Sequence, residues 1–283
     1  MPHSLEPNHW DVFAEAERYD RAGDVYHAVK LYKKVIRQVP DFAPPYRKLG
    51  ALYRKRQEWK PAYHYWKKAV ALQNDDTEAW WEMGLAATGL GRLRISRSVW
   101  TKFGLQPLQD THPVGLRIPG INGFEILWMQ PRDAGRGVIS SIPQPGSDYR
   151  FRDEVLYDRR RPVGTHVSSK RRVNIHESEG LIKRSAYQTF SCLVHTTEEA
   201  PLLKLEELCQ RSGIGFEIWS RASRQATPVN RAAFPEYYSD LLPQPTGQTS
   251  VVALAAIHPA PVQHTLNAWQ IITLADYSDL RSY

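Results

Sequence analysis

Ten histidines, two cysteines and scattered carboxylates are the groups from which this 283-residue chain could build a reactive centre. Their spacing argues against the familiar ones. The histidines run from His3 to His264 without an HExxH, and His258 and His264 have no carboxylate beside them on the same element, so no metal site is expected. Cys192 and His195 form a Cys-x-x-His pair on a strand-like segment, which puts them on opposite faces and separates a nucleophile from its base. Cys192 therefore reads as sheet core beside Phe190 and Val194, and Cys209 as helix core facing that sheet. Glu125 and Glu217 each follow a phenylalanine in two echoed strands, GINGFEILW and GIGFEIWS, but neither has a partner close in sequence that would give it an acid or base role. No GxGxxG before a helix, no GxxxxGK[ST] and no GxSxG occurs. The expectation is a chain without catalytic residues or cofactor, the alternative being an enzyme with an unrecognised site in the C-terminal domain. The echo itself suggests either two related subdomains or a shared turn-to-strand geometry.

Charge supplies a second kind of chemistry. Lys and Arg number 37 against 30 Asp and Glu, a formal charge of +7 that favours acidic partners. The bias concentrates in residues 158–184, with eight basic residues against three acidic ones. Arg159, Arg160 and Arg161, then Lys170, Arg171 and Arg172, flank a Pro-Gly-containing stretch that reads as a mobile basic loop. Such a loop attracts phosphate backbones or an acidic protein surface. Aromatic residues do not interleave with it as a stacking platform for bases requires, so an acidic protein is preferred and nucleic acid is the rival.

These groups need elements to hold them. With 42% hydrophobic and 24% charged residues, the composition is that of a folded chain. The two cysteines have no CxxC spacing and point to a reducing, cytoplasmic setting. No stretch approaches 18 uncharged apolar residues, and the start carries no basic and apolar leader, so no membrane is expected. Residues 11 to about 104 show apolar residues three and four apart in six segments, which predicts six helices. A Pro- and Gly-rich junction at 105–120 is expected to admit neither a long helix nor a central strand.

Superposed on itself, the helical half repeats every 34 residues. Tyr46, Leu49, Gly50, Tyr53, Ala62, Trp66 and Ala69 recur as Trp80, Met83, Gly84, Ala87, Ser96, Trp100 and Phe103. Small Gly50 and Ala62 mark where helices cross closely, and Tyr53 and Trp66 fill the wider gaps. The pattern resembles the tetratricopeptide repeat in residues 43–76, 9–42 and 77–110. The resemblance implies an all-α solenoid of three hairpins over 9–108, with an atypical last repeat, whose first helices line a groove for peptides or proteins. Carried over by position, the groove holds Trp10, Phe13, Glu17 and Arg21, then Arg47, Ala51, Arg54 and Lys55, then Trp81 and Leu85. This aromatic and cationic lining suits an acidic protein or peptide. Ala51 stands where chaperone-binding members with a carboxylate clamp have asparagine, which argues against a chaperone tail. Trp80 is expected in the core.

Residues 121–283 read as an α+β domain with a mainly antiparallel sheet. Strands are expected at GFEILWMQ, RGVISSI, QTFSCLVHT and GFEIWS, a helix through Leu202, Leu205 and Leu208, and final strands at Val251–Ile257 and Trp269–Leu274. Glu125, Leu127, Trp128, Ile142, Pro143, Asp153 and Val155 resemble the pattern of small uncharacterised bacterial domains, some of them found beside toxin and immunity genes. That resemblance implies no chemistry, but it makes an inhibitor role thinkable.

Overall fold

A computed structural model describes residues 8–105, 112–120, 123–168, 171–220 and 247–283. The chain divides into two compact units, Met1–Gln109 and Asp110–Tyr283.

The first unit is helical throughout: α1 (His9–Arg21), α2 (Val25–Gln38), α3 (Ala43–Lys55), α4 (Trp59–Leu72), α5 (Thr77–Gly89) and α6 (Leu93–Lys102). Side-chain caps start several of them. Asp24 accepts from His27 N at 3.1 Å, and Asp76 accepts from Ala79 N at 2.9 Å. Packing follows the repeat closely. A Cβ on Gly50 would lie 2.7 Å from the indole of Trp66, and one on Gly84 would lie 2.8 Å from that of Trp100, so the backbone of α3 or α5 rests directly on the ring. The first hairpin holds Ala16 and Tyr32 at the same places, both fully buried, with a smaller ring where the residue opposite has a Cβ. The turn within each hairpin repeats as well. Gly23, Gln57 and Gly91 all have positive φ, at 81°, 57° and 73°.

The second unit contains two sheets. The first comprises β1 (Val114–Gly120), β2 (Gly123–Pro131), β3 (Arg136–Ile139), β4 (Glu154–Leu156), β5 (Pro162–Ser168), β6 (Arg171–Glu177) and β7 (Gly180–Lys183). Its order is β5-β6-β1-β2-β3-β4-β7, antiparallel except for the β1–β6 pair. The second runs β8 (Gln188–Val194), α7 (Glu199–Arg211), β9 (Gly215–Ile218), β10 (Ser250–Ala256), α8 (Pro259–Thr273) and β11 (Tyr277–Ser282), with strand order β11-β8-β10-β9 and every pair antiparallel. Among the described residues this β-α-β-β-α-β order has the ferredoxin-like, split βαβ topology. Strand β10 is buried along its whole length. Val252 and Leu254 pack with Cys192, Leu205, Cys209, Leu266 and Trp269 under the two helices. On the other face, Val251, Ala253 and Ala255 pack with Ile142, Phe151 and Trp219. Ile142 and Phe151 come from the segment between β3 and β4, so a loop of the first sheet covers the back of the second.

Several expectations need correction. Residues 158–184 are not a mobile loop: they carry β5, β6 and β7. Val163, Thr165 and Val167, then Val173 and Ile175, alternate as strands do, and the density of charge hid that alternation. Trp269–Leu274 is not a strand, because Trp269 closes the buried stripe Val262, Leu266 and Trp269 of α8. Its prolines stand in the first turn, where their missing N–H costs nothing. Strand β1 lies inside the Pro- and Gly-rich junction and in the interior of its sheet. Pro119 is tolerated because β1 pairs with β6 only through Gly115, Leu116 and Arg117. The echoed strands do not mark a duplication of subdomains. β2 is interior to a seven-stranded sheet, whereas β9 edges a helix-covered one.

Candidate functional site

Helices α1 and α3 present the inner positions of the repeat unit. Trp10 is 55% exposed, with its ring 4.7 Å edge-on from Phe42. Glu17 bonds Lys48 of the next hairpin at 2.7 Å, and Arg21 Nε donates to the Glu17 carbonyl at 3.3 Å. Arg47 pairs with Asp76 at 2.9 Å while remaining partly exposed. Lys55 and Arg21 are exposed at equivalent places of consecutive repeats.

Four groove assignments are corrected, and Leu85, fully buried in α5, is one of them. Phe13 is only 9% exposed and packs on Tyr32 and Phe42. Arg54 turns into the unit, where its Nη1 lies 2.5 Å from both carboxylate oxygens of Glu82, with the side chains 10% and 5% exposed. Trp81 is 2% exposed and packs on Trp100 and Phe103. Its neighbour Trp80, expected in the core, is half-exposed instead, donating to the Asn74 carbonyl at 2.8 Å beneath the Lys102 ammonium. Of the expected groove residues, Trp10, Arg21 and Lys55 are exposed and Arg47 partly so, while both of those expected from the third hairpin, Trp81 and Leu85, are buried.

The expected basic loop divides in another way. Lys170 lies outside the described residues, and Arg171 falls within β6. Asp158 organises the turn after β4, accepting from Arg160 N at 2.9 Å and pairing with Arg161 at 3.6 Å. Arg159 and Arg172 line a cleft of about 380 Å³ formed by the start of β1, the end of β2, the residues after β4, and β6. Its other walls are His112, Pro113, Val114, Pro131, Tyr157, Val173, Asn174 and His176, with no carboxylate among them. His176 is buried, and its Nδ1 lies 2.9 Å from the Asp158 carbonyl. A carbonyl can only accept, so Nδ1 carries the proton and Nε2 is left as an acceptor in the neutral ring. Burial lowers the pKa of this imidazole, and the neighbouring Arg159 charge acts in the same direction. Tyr157 donates to the Asp133 carbonyl at 2.9 Å, and burial raises its pKa.

The groups first considered for reactivity have structural roles. Gln144 N donates to Glu125 at 3.2 Å, and Ile142 N donates to Glu217 at 2.8 Å. The two glutamates, one from each sheet, thereby hold a single crossing segment. Burial pushes the thiols of Cys192 and Cys209 up to about 12, which keeps them protonated and unreactive. His195 is exposed and bonded to Ser278 at 2.8 Å. Among the described residues no group of three or more His, Cys, Asp or Glu is placed to hold a metal ion. No described helix is long and apolar enough to cross a membrane.

With this geometry in view, the chain was compared with known proteins. The N-terminal helical region resembles tetratricopeptide-like solenoids. The first tetratricopeptide domain of Spaghetti (RPAP3), bound to an HSP90 peptide, is 20% identical, over 36% of this chain and 81% of that one, at a TM-score of 0.32. Yeast Tom70 is 18% identical, over 36% of this chain and 21% of its own, at 0.32. MamA of AMB-1 is 20% identical, over 35% and 55%, at 0.33. This chain therefore spans about a fifth of Tom70 and about half of MamA. No family model matches the chain. The repeat assignment rests on the helical packing described above.

Proposed function

We propose that this protein is a binding module whose helices α1 and α3 hold an acidic protein or peptide, without catalysing a reaction on it. Repeats of this kind are generally associated with adaptor roles, because their stacked first helices form a continuous receptive face. What supports the proposal is the exposed indole of Trp10 at the start of α1 and the exposed cations Arg21 and Lys55 at the ends of α1 and α3, all at groove positions of the repeat. About three helical turns, roughly 16 Å, separate Trp10 from Arg21, a span that suits an extended acidic segment burying an apolar side chain at one end and placing carboxylates at the other. Arg54 contributes nothing to this face, since its charge is already matched by Glu82. A concrete form of the reading is an inhibitor that covers an acidic protein, in keeping with the immunity-like pattern of residues 123–160. Nucleic acid is the rival occupant, favoured by the exposed Arg160 and Arg172.

The test is affinity capture from the native cell with wild type, Trp10→Ala and Lys55→Glu, with and without nuclease and at two salt concentrations. Support is a stoichiometric acidic protein, resistant to nuclease and lost from both variants. Equal recovery by all three proteins, or nuclease-sensitive material alone, overturns the proposal.

A further inference from the structure

We infer that the cleft between the ends of β1, β2 and β6 binds a small oxyanionic ligand, a phosphate or carboxylate carried on a compact apolar body. Four observations converge. First, two arginines line one concavity: Arg159 follows β4 and Arg172 lies on β6, and neither has a side-chain hydrogen bond or ion pair among the described residues. Several other arginines of this unit are paired with carboxylates, Arg117 with Glu177 at 2.7 Å, Arg136 with Asp133 and Glu154 at 3.3 Å, and Arg184 with Asp153 at 2.9 Å. Second, among the described residues no carboxylate lines the cleft itself; the nearest on the same turn, Asp158, is buried and pairs with Arg161, so an incoming anion meets the two arginines rather than their counterion.

Third, the turn that presents Arg159 is fixed. Asp158 accepts from Arg160 N, Arg161 N donates to the Asp158 carbonyl at 3.2 Å, and Arg159 N donates to Ala134 O at 3.2 Å. The same Asp158 carbonyl holds Nδ1 of His176, so the turn and the imidazole are set as one piece. Fourth, the remaining walls are Pro113, Val114, Pro131 and Val173, with Asn174 as a neutral polar group, and the volume falls in the range of small-molecule sites. Two cations for the oxyanion and a neutral amide with apolar walls for the remainder suit an ester or acid with a small organic body better than a bare inorganic ion. A long polyanion would instead engage Arg160 and Arg161, which lie on the same turn and do not line the cleft.

The inference concerns the second unit and stands whether or not the repeat unit binds a protein. Its test uses the full chain in calorimetric titrations with inorganic phosphate, adenosine monophosphate and citrate, at fixed moderate salt. Binding is expected for at least one of the two organic probes and more weakly for inorganic phosphate. The phosphate ester and the polycarboxylate separate the two possible sources of the oxyanion. Arg159→Gln and Arg172→Gln are each expected to weaken that binding about tenfold or more, whereas Arg211→Gln, on the exposed face of α7 away from the cleft, leaves it unchanged. Arg172 is exposed, so its variant tests the cleft without threatening the fold, and circular dichroism checks both arginine variants. Absence of binding by all three probes at 10-millimolar order, or an equal loss in Arg211→Gln, would overturn the inference.

Discussion

Replacing Gly50 with alanine sets two quantities against each other. In an ordinary helix interior the change stabilises by about 1 kcal/mol, because alanine has less backbone freedom to lose. Here the new Cβ would stand 2.7 Å from Trp66 Cε2 and Nε1. Carbon contacts settle at about 3.5–4.0 Å, so the ring or the helix must retreat by roughly 1 Å. Overpacking of that size costs about 1–3 kcal/mol, and Trp66 is almost completely enclosed. The net expectation is a destabilisation of up to about 2 kcal/mol. The first hairpin shows the remedy, with Ala16 opposite the six-membered ring of Tyr32. Trp66→Phe should therefore cost stability alone yet make Gly50→Ala nearly harmless, a favourable coupling of about 1–2 kcal/mol. Phenylalanine is preferable to tyrosine, since Tyr32 donates to Asp20 at 3.3 Å whereas the equivalent place in the second hairpin is Arg54. Urea unfolding followed by far-ultraviolet circular dichroism reads the cycle. A stabilised Gly50→Ala, or strict additivity in the double variant, would refute the reasoning.

Gln57 occupies the left-handed turn position that Gly23 and Gly91 hold in the other hairpins, and Gln57→Gly should raise stability by about 1 kcal/mol in the same urea assay. Glu82→Ala removes the carboxylate whose two oxygens face the enclosed Arg54 guanidinium and should cost about 1.5–3 kcal/mol. Adding Arg54→Met to Glu82→Leu should recover much of that loss, as the midpoint of thermal unfolding will show. His176 is held neutral by burial and by the Arg159 charge, against the opposing pull of Asp158. Its folded pKa thus lies below the unfolded value of about 6.5. The stability it contributes is complete above that pH and is lost as pH falls through the folded pKa. Unfolding midpoints at neutral and mildly acid pH should diverge less in His176→Asn than in wild type.

The repeat was legible because its determinants are local and periodic. Residue size at Gly50 and Gly84, opposite Trp66 and Trp100, can be read from a spacing alone. The inner face was only partly legible, because the fate of Arg54 depends on Glu82 in the next hairpin, and no single-helix pattern contains that pairing. Trp80 and Trp81 are adjacent, and the choice of which enters the core was made by Trp100 and Phe103. In the second unit, Cys192 and Cys209 were legible as core from the alternation and helical stripe around them. Strands β5 and β6 were not, since count of charge outweighed period in a segment whose β-branched residues alternate correctly. The cleft left only a partial trace, the basic residues Arg159 and Arg172, which the sequence assigned to a loop. Its walls come from four chain positions between His112 and His176, brought together by the parallel pairing of β1 with β6.

The segment that crosses from the first sheet to the back of the second sets an order of events during synthesis. Ile142 and Phe151 leave the ribosome about 110 residues before Val251, which at usual elongation rates is roughly 5–20 s. Through that interval the first sheet can pair β1, β2 and β3 while its crossing loop has nothing to cover. Trp219, whose indole donates to the Ile142 carbonyl at 3.1 Å, and β10, whose inward residues complete the apolar layer, arrive last. The repeat unit, built from neighbours in sequence, is finished long before. Nascent chains of this protein therefore spend seconds as a folded helical unit trailing an uncovered apolar loop, and that loop is where chaperone engagement or misassembly during translation is expected to begin.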